Sequence, residues 1–382
     1  MIKRPIKILR IQSRICIGGP AIHTEILAEY LPKDKFETIV VGGAVDKNEK
    51  SIHERINNKG IHVEIIVSMK RNIFILNDLV SLFRLYRLIK QNKPDIVHTH
   101  TAKAGTIGRI SAYLARVPII VHTFHGHVFN NYFNKFITKI FIVIEKCLAK
   151  LTRKIIVISD SQYKDIVDTY KIASQERVKI IPLGFDLTHF DHLEKNGKLK
   201  NYLGLNSKNI LVGCVGRLVP IKNNRMIIRV INKLHESNDK YHLCFIGDGE
   251  ERENLEAIAD PNYVHFLGWR TDLDNIYAGV DVIALTSLNE GTPVALIEAM
   301  AANVPVVSTK VGGVGDIVKD NVTGLLVESN DVDTMCEKIE LLMHDPNLRD
   351  RLIKQAREYV REKFSYQRLI KDMELLYDEL LQ

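Results

Sequence analysis

The chain has 382 residues, of which 46% are hydrophobic and 26% are charged, and its formal net charge is +7. This length suits two domains of ordinary size, and this balance is that of a soluble globular protein. The five cysteines are odd in number, scattered and without CxxC spacing, which excludes a disulfide framework and a cysteine zinc site and favours a reducing cytoplasm. The first residues read as a strand and a Gly-Gly loop rather than a signal peptide, and no apolar run reaches the length of a membrane span. We therefore expect a cytoplasmic protein, soluble or peripheral on the inner face of the plasma membrane.

Charge is distributed unevenly along the chain. Residues 1–190 hold 30 Lys and Arg against 16 Asp and Glu, a net +14, whereas residues 191–382 have a net charge of −7. A basic half predicts an anionic partner, although solubility alone is an alternative explanation. No zinc finger, RNP-like motif or helix-turn-helix pattern is found, so nucleic acid is not expected. Anionic lipid headgroups or a lipid diphosphate suit a peripheral protein better.

In chain order, the pattern of strand, glycine-rich turn and helix occurs twice, first with Gly18 and Gly19 and again in NILVGCVGRLVPIKNN. Other near-continuous apolar runs alternate with helical stretches, namely FETIVVG, DIVHTH, PIIVHTF, KIIVIS, YHLCFIG, VDVIAL and VPVVST. This alternation is typical of doubly wound parallel sheets. We place the seam between two such domains near residues 182–190, before the polar stretch DHLEKNGKLKN.

Two histidine-rich strand ends lie in the first half. His98 and His100 end one strand, and His122, His125 and His127 end another. HxH spacing is compatible with a metal site, but carboxylate or cysteine co-ligands are not evident nearby, so we predict no metal. Core or helix-capping histidines are the ordinary alternative.

Gly18 and Gly19 open a helix whose N-terminus can face a phosphate or an acceptor. A Gly-Gly pair is a weak signal, and because GxGxxG is absent a nicotinamide enzyme is not supported.

Residues 131–151 place apolar side chains at helical spacing, with four lysines among or opposite them. The apolar set is Phe133, Phe136, Ile137, Ile140, Phe141, Ile144 and Leu148. We favour a helix packed on the core, and a membrane-surface element is the alternative.

A cationic loop follows a strand that ends at Gly216. Arg217 and Lys222 lie five residues apart on this strand-to-helix connection, and two fixed cations suit a diphosphate. The alternative is that Arg217 and Lys222 are ordinary surface charges. Downstream, Gly247 and Gly249 in GDGEER allow a tight turn close to a ligand, although a plain turn explains them equally.

The segment TDLDN contains Asp-x-Asp, which would bind a metal in some settings. Here it begins a predicted helix, and an aspartate at a helix start is ordinary capping. We interpret it as structural.

Glu290 and Glu298 carry the most informative signal. A short apolar strand precedes a turn with Glu290, and a helix opens near Pro293, so Glu298 lies one to two turns inside that helix. Both carboxylates can then face one ligand at the helix N-terminus. Carboxylates accept from hydroxyls, which predicts a polyhydroxylated ligand. The alternative is that Glu290 is an ordinary solvated turn residue and Glu298 an ordinary solvated helix residue.

This Glu-x7-Glu segment, with the following Ala-Met-Ala and Val-Pro-Val-Val, resembles the retaining glycosyltransferases of family 4. The resemblance extends over nearly the whole chain and points to the branch that builds capsule, O-antigen and lipid-linked glycans. It implies the α/β GT-B fold, in which two Rossmann-like doubly wound parallel-sheet domains face a central cleft. Residues 1–185 would form the acceptor-side domain and 186–363 the donor-binding domain, with a C-terminal helix at about 364–382 packing back on the first.

The resemblance also implies residue roles. Arg217 and Lys222 would hold the donor pyrophosphate, and Glu298 the ribose hydroxyls. The sugar hydroxyls would meet Glu290 and the backbone of Gly291, Thr292, Pro293 and Val294. Other donor-bordering residues would be Gly18, Gly19, Gly216, Gly247, Gly249, Trp269, Arg270, Gly312 and Gly313, with Trp269 and Arg270 near a uracil base. His125 would contact the transferred sugar, and His98, His100 and Lys103 the acceptor.

Two departures from the family pattern are visible. Asn303 stands where glycine is usual, which is tolerable if that residue is left-handed. Asp316 stands where glutamate is common, which puts the reach of that carboxylate in doubt.

The resemblance implies transfer of a sugar, N-acetylhexosamine by preference, from a UDP-sugar to an acceptor hydroxyl with retention. A polyprenyl-diphosphate-linked glycan would be the acceptor, and neither a metal nor a cofactor beyond the co-substrate is expected. The alternatives are a sugar-nucleotide epimerase of the same fold and a catalytically silent partner in a glycan-assembly complex.

Overall fold

The computed structural model describes residues 4–16, 18–45, 51–70, 74–126 and 135–382, the side chain of residue 135 excepted. Within these ranges the chain divides into two compact units. One holds the residues up to Phe185 together with Tyr366–Gln382, and the other is Asp186–Ser365. Each unit contains one parallel sheet flanked by helices.

The first unit has a sheet of strands β1 to β7 in the order β3-β2-β1-β4-β5-β6-β7. Its strands are β1 (Ile6–Gln12), β2 (Phe36–Gly43), β3 (His62–Ile66), β4 (Ile96–His100), β5 (Ile119–Phe124), β6 (Lys154–Val157) and β7 (Val178–Ile180). Its helices include α1 (Gly19–Tyr30), α2 (His53–Asn58), α3 (Ile75–Asn92), α4 (Ala102–Leu114), α5 (Lys135–Lys150) and α6 (Asp160–Lys164).

The second unit has a sheet in the order β10-β9-β8-β11-β12-β13. Its strands are β8 (Ile210–Val215), β9 (Tyr241–Ile246), β10 (Val264–Phe266), β11 (Val282–Leu285), β12 (Val306–Thr309) and β13 (Leu325–Val327). Its helices include α7 (Lys198–Tyr202), α8 (Asn224–Ser237), α9 (Arg252–Glu256), α10 (Leu273–Gly279), α11 (Val294–Ala301), α12 (Val314–Ile317), α13 (Val332–His344) and α14 (Pro346–Phe364). The last helix, α15 (Tyr366–Leu381), belongs to the first unit.

The apolar runs that predicted strands are strands in the structure, and all the strand pairs of both sheets are parallel. These are the inner strands, whose two faces are both covered, so their sequences are apolar throughout. The four edge strands β3, β7, β10 and β13, which are three to five residues long, were not predicted. One of them, β10 (Val264–Phe266), lies just before Trp269 and Arg270, which were predicted to lie near the base.

Helix α15 completes the core of the first unit. Leu369, Met373 and Leu376 are buried together with Ile6 and Ile8 of β1. Because the chain returns to this sheet at its end, the first unit is built from two separated segments. Among the described residues, no helix has both the length and the apolar content needed to cross a membrane.

Candidate active site

The order of the second sheet places a topological switch point between β8 and β11. In open parallel sheets, ligands bind beyond the carboxyl ends of the strands at such a point, because the two neighbouring connections leave in opposite directions. The cationic loop follows β8, and the turn with Glu290 follows β11. These two predicted parts of the site therefore lie next to each other.

Lys222 and Glu290 are in direct contact in this loop pair. The Lys222 ammonium lies 2.5 Å from Oε1 of Glu290, and the Ser287 hydroxyl donates to the same oxygen at 2.6 Å. The two loops are also joined by their backbones, since the N–H of Leu288 donates to the carbonyl of Ile221. Arg217, beside them in sequence, is exposed and has no ion-pair partner among the residues that the structure describes. The site therefore presents one paired and one free cation.

Glycines allow the loops of this edge to touch. A Cβ on Gly247 would lie 1.9 Å from the carbonyl oxygen of Gly216, and one on Gly313 would lie 1.8 Å from that of Gly291. The N–H of Gly313 donates to the carbonyl of Glu290 at 2.8 Å. These predicted donor-bordering glycines thus also serve to bring backbone against backbone. Gly249 and Gly312 have the same close contacts, at 2.2 Å from the Leu218 carbonyl and 2.1 Å from the Glu290 carbonyl.

Helix α11 begins at Val294 with Pro293 as its N-cap, and Gly291 and Thr292 stay on the loop. Glu298 lies one turn inside the helix and accepts a hydrogen bond from the Tyr277 hydroxyl at 2.8 Å. Burial among its neighbours raises the pKa of Glu298 to about 7, and the Tyr277 hydrogen bond opposes that rise. The carboxyl of Glu298 therefore changes charge near neutral pH.

Trp269 and Arg270 follow the short strand β10. The Trp269 side chain is 57% exposed, so its ring is accessible to a ligand. Arg270 forms a two-pronged ion pair with Asp272 at 2.6 and 2.7 Å and lies over the ring of Tyr202. Asp272 occupies the N-cap position of α10, but its side chain makes no capping hydrogen bond. The prediction of ordinary capping is therefore wrong for Asp272, which instead orients Arg270.

Both family departures have a structural setting. Asn303 has a φ of 60°, which is the left-handed conformation that the predicted tolerance required. Asp316 lies in the short helix α12, where its carbonyl accepts from the Tyr359 hydroxyl at 2.9 Å.

In the first unit, Gly18 and Gly19 begin α1, and a Cβ on either would meet nothing within 4 Å. Among the described residues, none therefore crowds the start of this helix. Lys103 lies in the first turn of α4 and forms an ion pair with Asp78 of α3 at 2.6 Å, both side chains being largely buried. The predicted acceptor contact of Lys103 would have to compete with that carboxylate.

The histidines of β4 and β5 gather at the carboxyl ends of these neighbouring strands. Nδ1 of His100 and Nε2 of His125 lie 3.0 Å apart, one donating and the other accepting. The structure adds His23 of α1, which was not predicted as a site residue, with its ring 5.1 Å from that of His125. His127 lies outside the described residues. No motif marks His23, because only the packing of α1 on the sheet brings it here.

His98 is held by three partners. Arg10 donates to its Nδ1 at 3.0 Å, the Tyr377 hydroxyl lies 2.7 Å from the same atom, and Nε2 is 2.7 Å from the Thr123 hydroxyl. Since Nδ1 accepts from Arg10, the ring proton is on Nε2, which donates to Thr123. Tyr377 comes from α15, so the returning helix orients this histidine. His98 is fully buried, and its predicted contact with the acceptor stays a prediction.

Burial lowers the pKa of the clustered histidines. The pKa of His125 falls to about 3, and those of His23, His98, His100 and His122 fall well below the ordinary value. The rings are therefore neutral at physiological pH, and each has a lone pair on one nitrogen.

Helix α5 corrects one prediction. Phe141 and Leu148 are packed against the core, as the favoured interpretation required. Phe136, Ile137, Ile140 and Ile144 instead are 74%, 37%, 45% and 37% exposed, so the predicted packing on the core holds for only part of the apolar set. Phe133 lies outside the described residues. A second set of exposed apolar side chains lies at the start of α3, a helix that also packs on α4. The set comprises Phe74, Ile75, Leu76, Leu79, Val80 and Phe83.

Comparison with known proteins now adds to this geometry. Residues 17–189 match the family model described as Glycosyltransferase Family 4, and residues 196–359 match Glycosyl transferases group 1. The chain is 31% identical, over 89% of its length and 88% of the relative's, to the UDP-Gal:alpha-D-GlcNAc-diphosphoundecaprenol alpha-1,3-galactosyltransferase of Escherichia coli. The chain belongs to glycosyltransferase family 4.

Further similarities agree with this family. The capsular polysaccharide biosynthesis glycosyltransferase CapM of Staphylococcus aureus is 31% identical over 83% of this chain and 85% of its own. Among solved structures, Anabaena HepE in complex with UDP and glucose matches 98% of this chain and 100% of its own with a TM-score of 0.80 at 21% identity. At that identity the match shows the fold alone, and it confirms the predicted GT-B class of two Rossmann-like parallel-sheet domains. Since the E. coli and S. aureus relatives are both glycosyltransferases, they do not favour the epimerase alternative.

Proposed function

We propose that this family 4 member is a retaining hexosyltransferase that moves a sugar from a UDP-sugar to a hydroxyl of a polyprenyl-diphosphate-linked glycan. The observation that carries the proposal is the contact of Lys222 with Glu290 at the switch point, with Arg217 beside it. A cation for phosphate and a carboxylate for hydroxyls in adjacent loops suit a nucleotide sugar, which has both groups in one molecule.

In the reaction, the bond from the anomeric carbon to the phosphate oxygen breaks and a bond to the acceptor oxygen forms on the same face. The leaving diphosphate gains negative charge, and Arg217 and Lys222 stabilise it from fixed positions. The acceptor hydroxyl loses its proton to the departing phosphate, so no protein nucleophile is required. With two cations at the leaving group, we propose that turnover needs no divalent metal there and no cofactor beyond the co-substrate.

The carboxylates and His125 would hold the sugar and the ribose. Glu298 would accept from the ribose hydroxyls, and Glu290, together with the backbone of Gly291–Val294, from the sugar hydroxyls. His125 is neutral because of its depressed pKa. It therefore suits a hydrogen bond to a sugar hydroxyl rather than charge stabilisation.

The donor sugar has two candidates. The family branch to which the sequence points favours N-acetylhexosamine as the transferred sugar. The E. coli relative's name gives galactose as its donor sugar and puts N-acetylglucosamine on its diphosphoundecaprenol acceptor. Both candidates agree on a UDP-sugar donor and a lipid-linked acceptor, which is the coarser proposal that we adopt.

A lipid-linked acceptor requires the protein to work at a membrane surface. The first half of the sequence has a net charge of +14, and α5 exposes Phe136, Ile140 and Val143 in the first unit. Apolar side chains fringed by lysines are typical of surface-bound helices. We propose peripheral binding of this unit to anionic lipid on the cytoplasmic side, in cell-surface polysaccharide biosynthesis.

The test is nucleotide release from UDP-GlcNAc, UDP-GalNAc, UDP-glucose, UDP-galactose and GDP-mannose, with and without polyprenyl-diphosphate glycan acceptors. We expect release from one UDP-sugar that depends on acceptor and is lost in Glu290→Ala. Release of free sugar without acceptor would support an epimerase. No release from any donor would favour the silent-partner alternative, against which the presence of Arg217, Lys222, Glu290 and Glu298 argues.

A further inference from the structure

Three histidines of the first unit form a compact group, which we call the histidine triad: His23 of α1, His100 of β4 and His125 after β5. One ring nitrogen from each lies within 4.8 Å of those of the other two. Their ring centroids are 5.1 to 5.6 Å apart. In the sequence only HxH pairs are visible, and no pattern there marks a third imidazole from another element.

The triad contains buried nitrogens that lack partners. Both ring nitrogens of His23 have no hydrogen-bond partner within the described chain, although this residue is only 2% exposed. Nε2 of His100 and Nδ1 of His125 are also unpartnered within the described chain, but they are not the two nitrogens that face each other, so the missing partner in the triad is that of His23. Leaving such a group buried and unsatisfied costs about 1–3 kcal/mol, so His23 calls for a partner that the described chain does not supply.

The geometry distinguishes a metal ion from a sugar hydroxyl as that partner. His23 is too enclosed for a polyhydroxylated ligand to reach it, whereas a single ion fits among the rings. The 3.0 Å between Nδ1 of His100 and Nε2 of His125 is close to the separation of about 3.3 Å that two nitrogens have on a tetrahedral zinc ion. Within the described residues His125 is partly exposed and Gly126 is exposed, so this side of the group is the one nearest to solvent.

We propose that the histidine triad binds a zinc ion through three imidazole nitrogens, leaving the fourth coordination position for water or a hydroxyl. Imidazole is a preferred ligand of Zn²⁺, and three ligands with one open position describe an accessible site rather than a closed structural one. The Arg10 guanidinium, bonded to neighbouring His98, is a nearby positive charge that weakens cation binding. The site is therefore expected to bind the ion less tightly than a site without that charge.

One consequence rests on the proposed function. His125 is the residue that we propose contacts the transferred sugar. Coordination occupies its Nε2 and fixes the ring, and its other nitrogen, Nδ1, is buried and not open to a ligand. Zinc in the triad therefore inhibits transfer, while the reaction itself proceeds without metal. The ion inhibits by occupying His125 and does not bridge the phosphates of the donor.

Binding is tested on the full chain after chelator treatment, with Co²⁺ as a spectroscopic substitute for zinc and Zn²⁺ as its competitor. The parent should show the visible absorption of tetrahedral Co²⁺ without the thiolate charge-transfer band that the exposed Cys147 would produce. The variant His23→Gln should bind at least roughly tenfold more weakly, since losing a direct ligand outweighs losing a supporting residue. The variant His62→Gln removes an exposed histidine that faces Glu64 and should bind like the parent.

Two results would overturn the metal site: equal Co²⁺ affinity in His23→Gln and the parent, or a thiolate band in place of the imidazole spectrum. Circular dichroism checks whether His23→Gln is folded. If it is unfolded, His125→Gln, at a partly exposed position, is tested in its place with the same expected loss of affinity.

The activity measurement is separate. Zinc should inhibit transfer in the parent and in His62→Gln, and much less in His23→Gln, each compared with its own metal-free rate. Triad binding without inhibition would keep the site and overturn the sugar contact of His125. A chain with no transferase activity can still bind the ion, so failure of the proposed function is distinguished from failure of the site.

Discussion

The Tyr277 hydroxyl donates a hydrogen bond to Oε2 of Glu298 at 2.8 Å. Tyr277 is fully buried in α10, with its ring edge-on to Phe190 at 5.5 Å. This contact holds the Glu298 carboxyl at one place on α11, and the surrounding burial brings its pKa to about 7. The residue that we propose for ribose binding is therefore both oriented and poised to change charge near neutrality.

The first prediction concerns the pH dependence of UDP binding. Ribose hydroxyls donate more strongly to a carboxylate than to a neutral carboxyl. In the protein without ligand the pKa of Glu298 is about 7, so the affinity for UDP should rise as the pH increases towards 7 and level off above it. Below that pH, binding should release a proton. Titration calorimetry in buffers of different ionisation enthalpy measures both effects.

The matched control for this pH profile is Glu298→Gln, which carries no proton to release. The nucleotide's own phosphate titration is common to both proteins, so only the difference between their profiles reports Glu298. Parallel profiles would show that Glu298 does not engage the ribose. Tyr277→Phe should move the midpoint to higher pH, since its hydroxyl stabilises the charged form.

The second prediction is that Lys222→Ala, Arg217→Ala and Glu290→Ala each reduce turnover while the fold stays intact. Removing Arg217 or Lys222 removes one preorganised charge at the leaving group and costs about 3 kcal/mol, or about two decades in rate, whereas Glu290→Ala removes the proposed contact with the sugar hydroxyls. Steady-state rates with the donor found by the panel provide the measurement, and circular dichroism checks the fold.

A lysine in a different setting provides the control for this series. Lys233 pairs with Asp333 at 2.5 Å, but both side chains are mostly exposed. Exposed ion pairs contribute only about 0–1 kcal/mol, so Lys233→Ala should keep parental turnover. Near-parental activity in Lys222→Ala would remove that residue from the leaving-group site.

The third prediction compares alanine substitutions at two glycines, Gly313 and Gly315, which are two residues apart. A Cβ on Gly313 would lie 1.8 Å from the carbonyl oxygen of Gly291, whereas one on Gly315 would meet nothing within 4 Å. Gly313→Ala should therefore push the Glu290 turn away and destabilise the second unit by about 1–3 kcal/mol. The melting temperature and the affinity for UDP should both fall in Gly313→Ala and stay near the parental values in Gly315→Ala. Equal behaviour of the two variants would be inconsistent with this packing.

The fourth prediction concerns the exposed face of α5. Phe136→Ser together with Ile140→Ser should reduce cosedimentation with phosphatidylglycerol vesicles, because exposed apolar side chains are what such a helix inserts. Binding of the parent should also weaken with salt, since the basic half contributes by screened attraction. Ile258→Ser, which changes a 45% exposed side chain in the second unit, is the control. Unchanged sedimentation of the double variant would exclude α5 as the contact.

Local sequence was enough to predict the inner strands, the loop position of Glu290 and the helical position of Glu298. A strand covered on both faces must be apolar throughout, and a proline near a helix start marks its first turn, so both leave a local signal. The edge strands leave almost none, because they are short and only partly covered. The exposed face of α5 was missed for a related reason, since periodicity gives an apolar face but not what covers it.

Only the tertiary structure brought together residues that are far apart in the chain. Tyr277 meets Glu298 across 21 positions, Lys222 meets Glu290 across 68, and Tyr377 reaches His98 across 279. His23 joins His100 and His125 through the packing of α1 on the sheet. The apolar periodicity of each segment decided which elements form, because burial acts residue by residue along a strand or helix. The partners and the pKa of each site residue were decided by the packing of elements from distant parts of the chain, for which no local pattern exists.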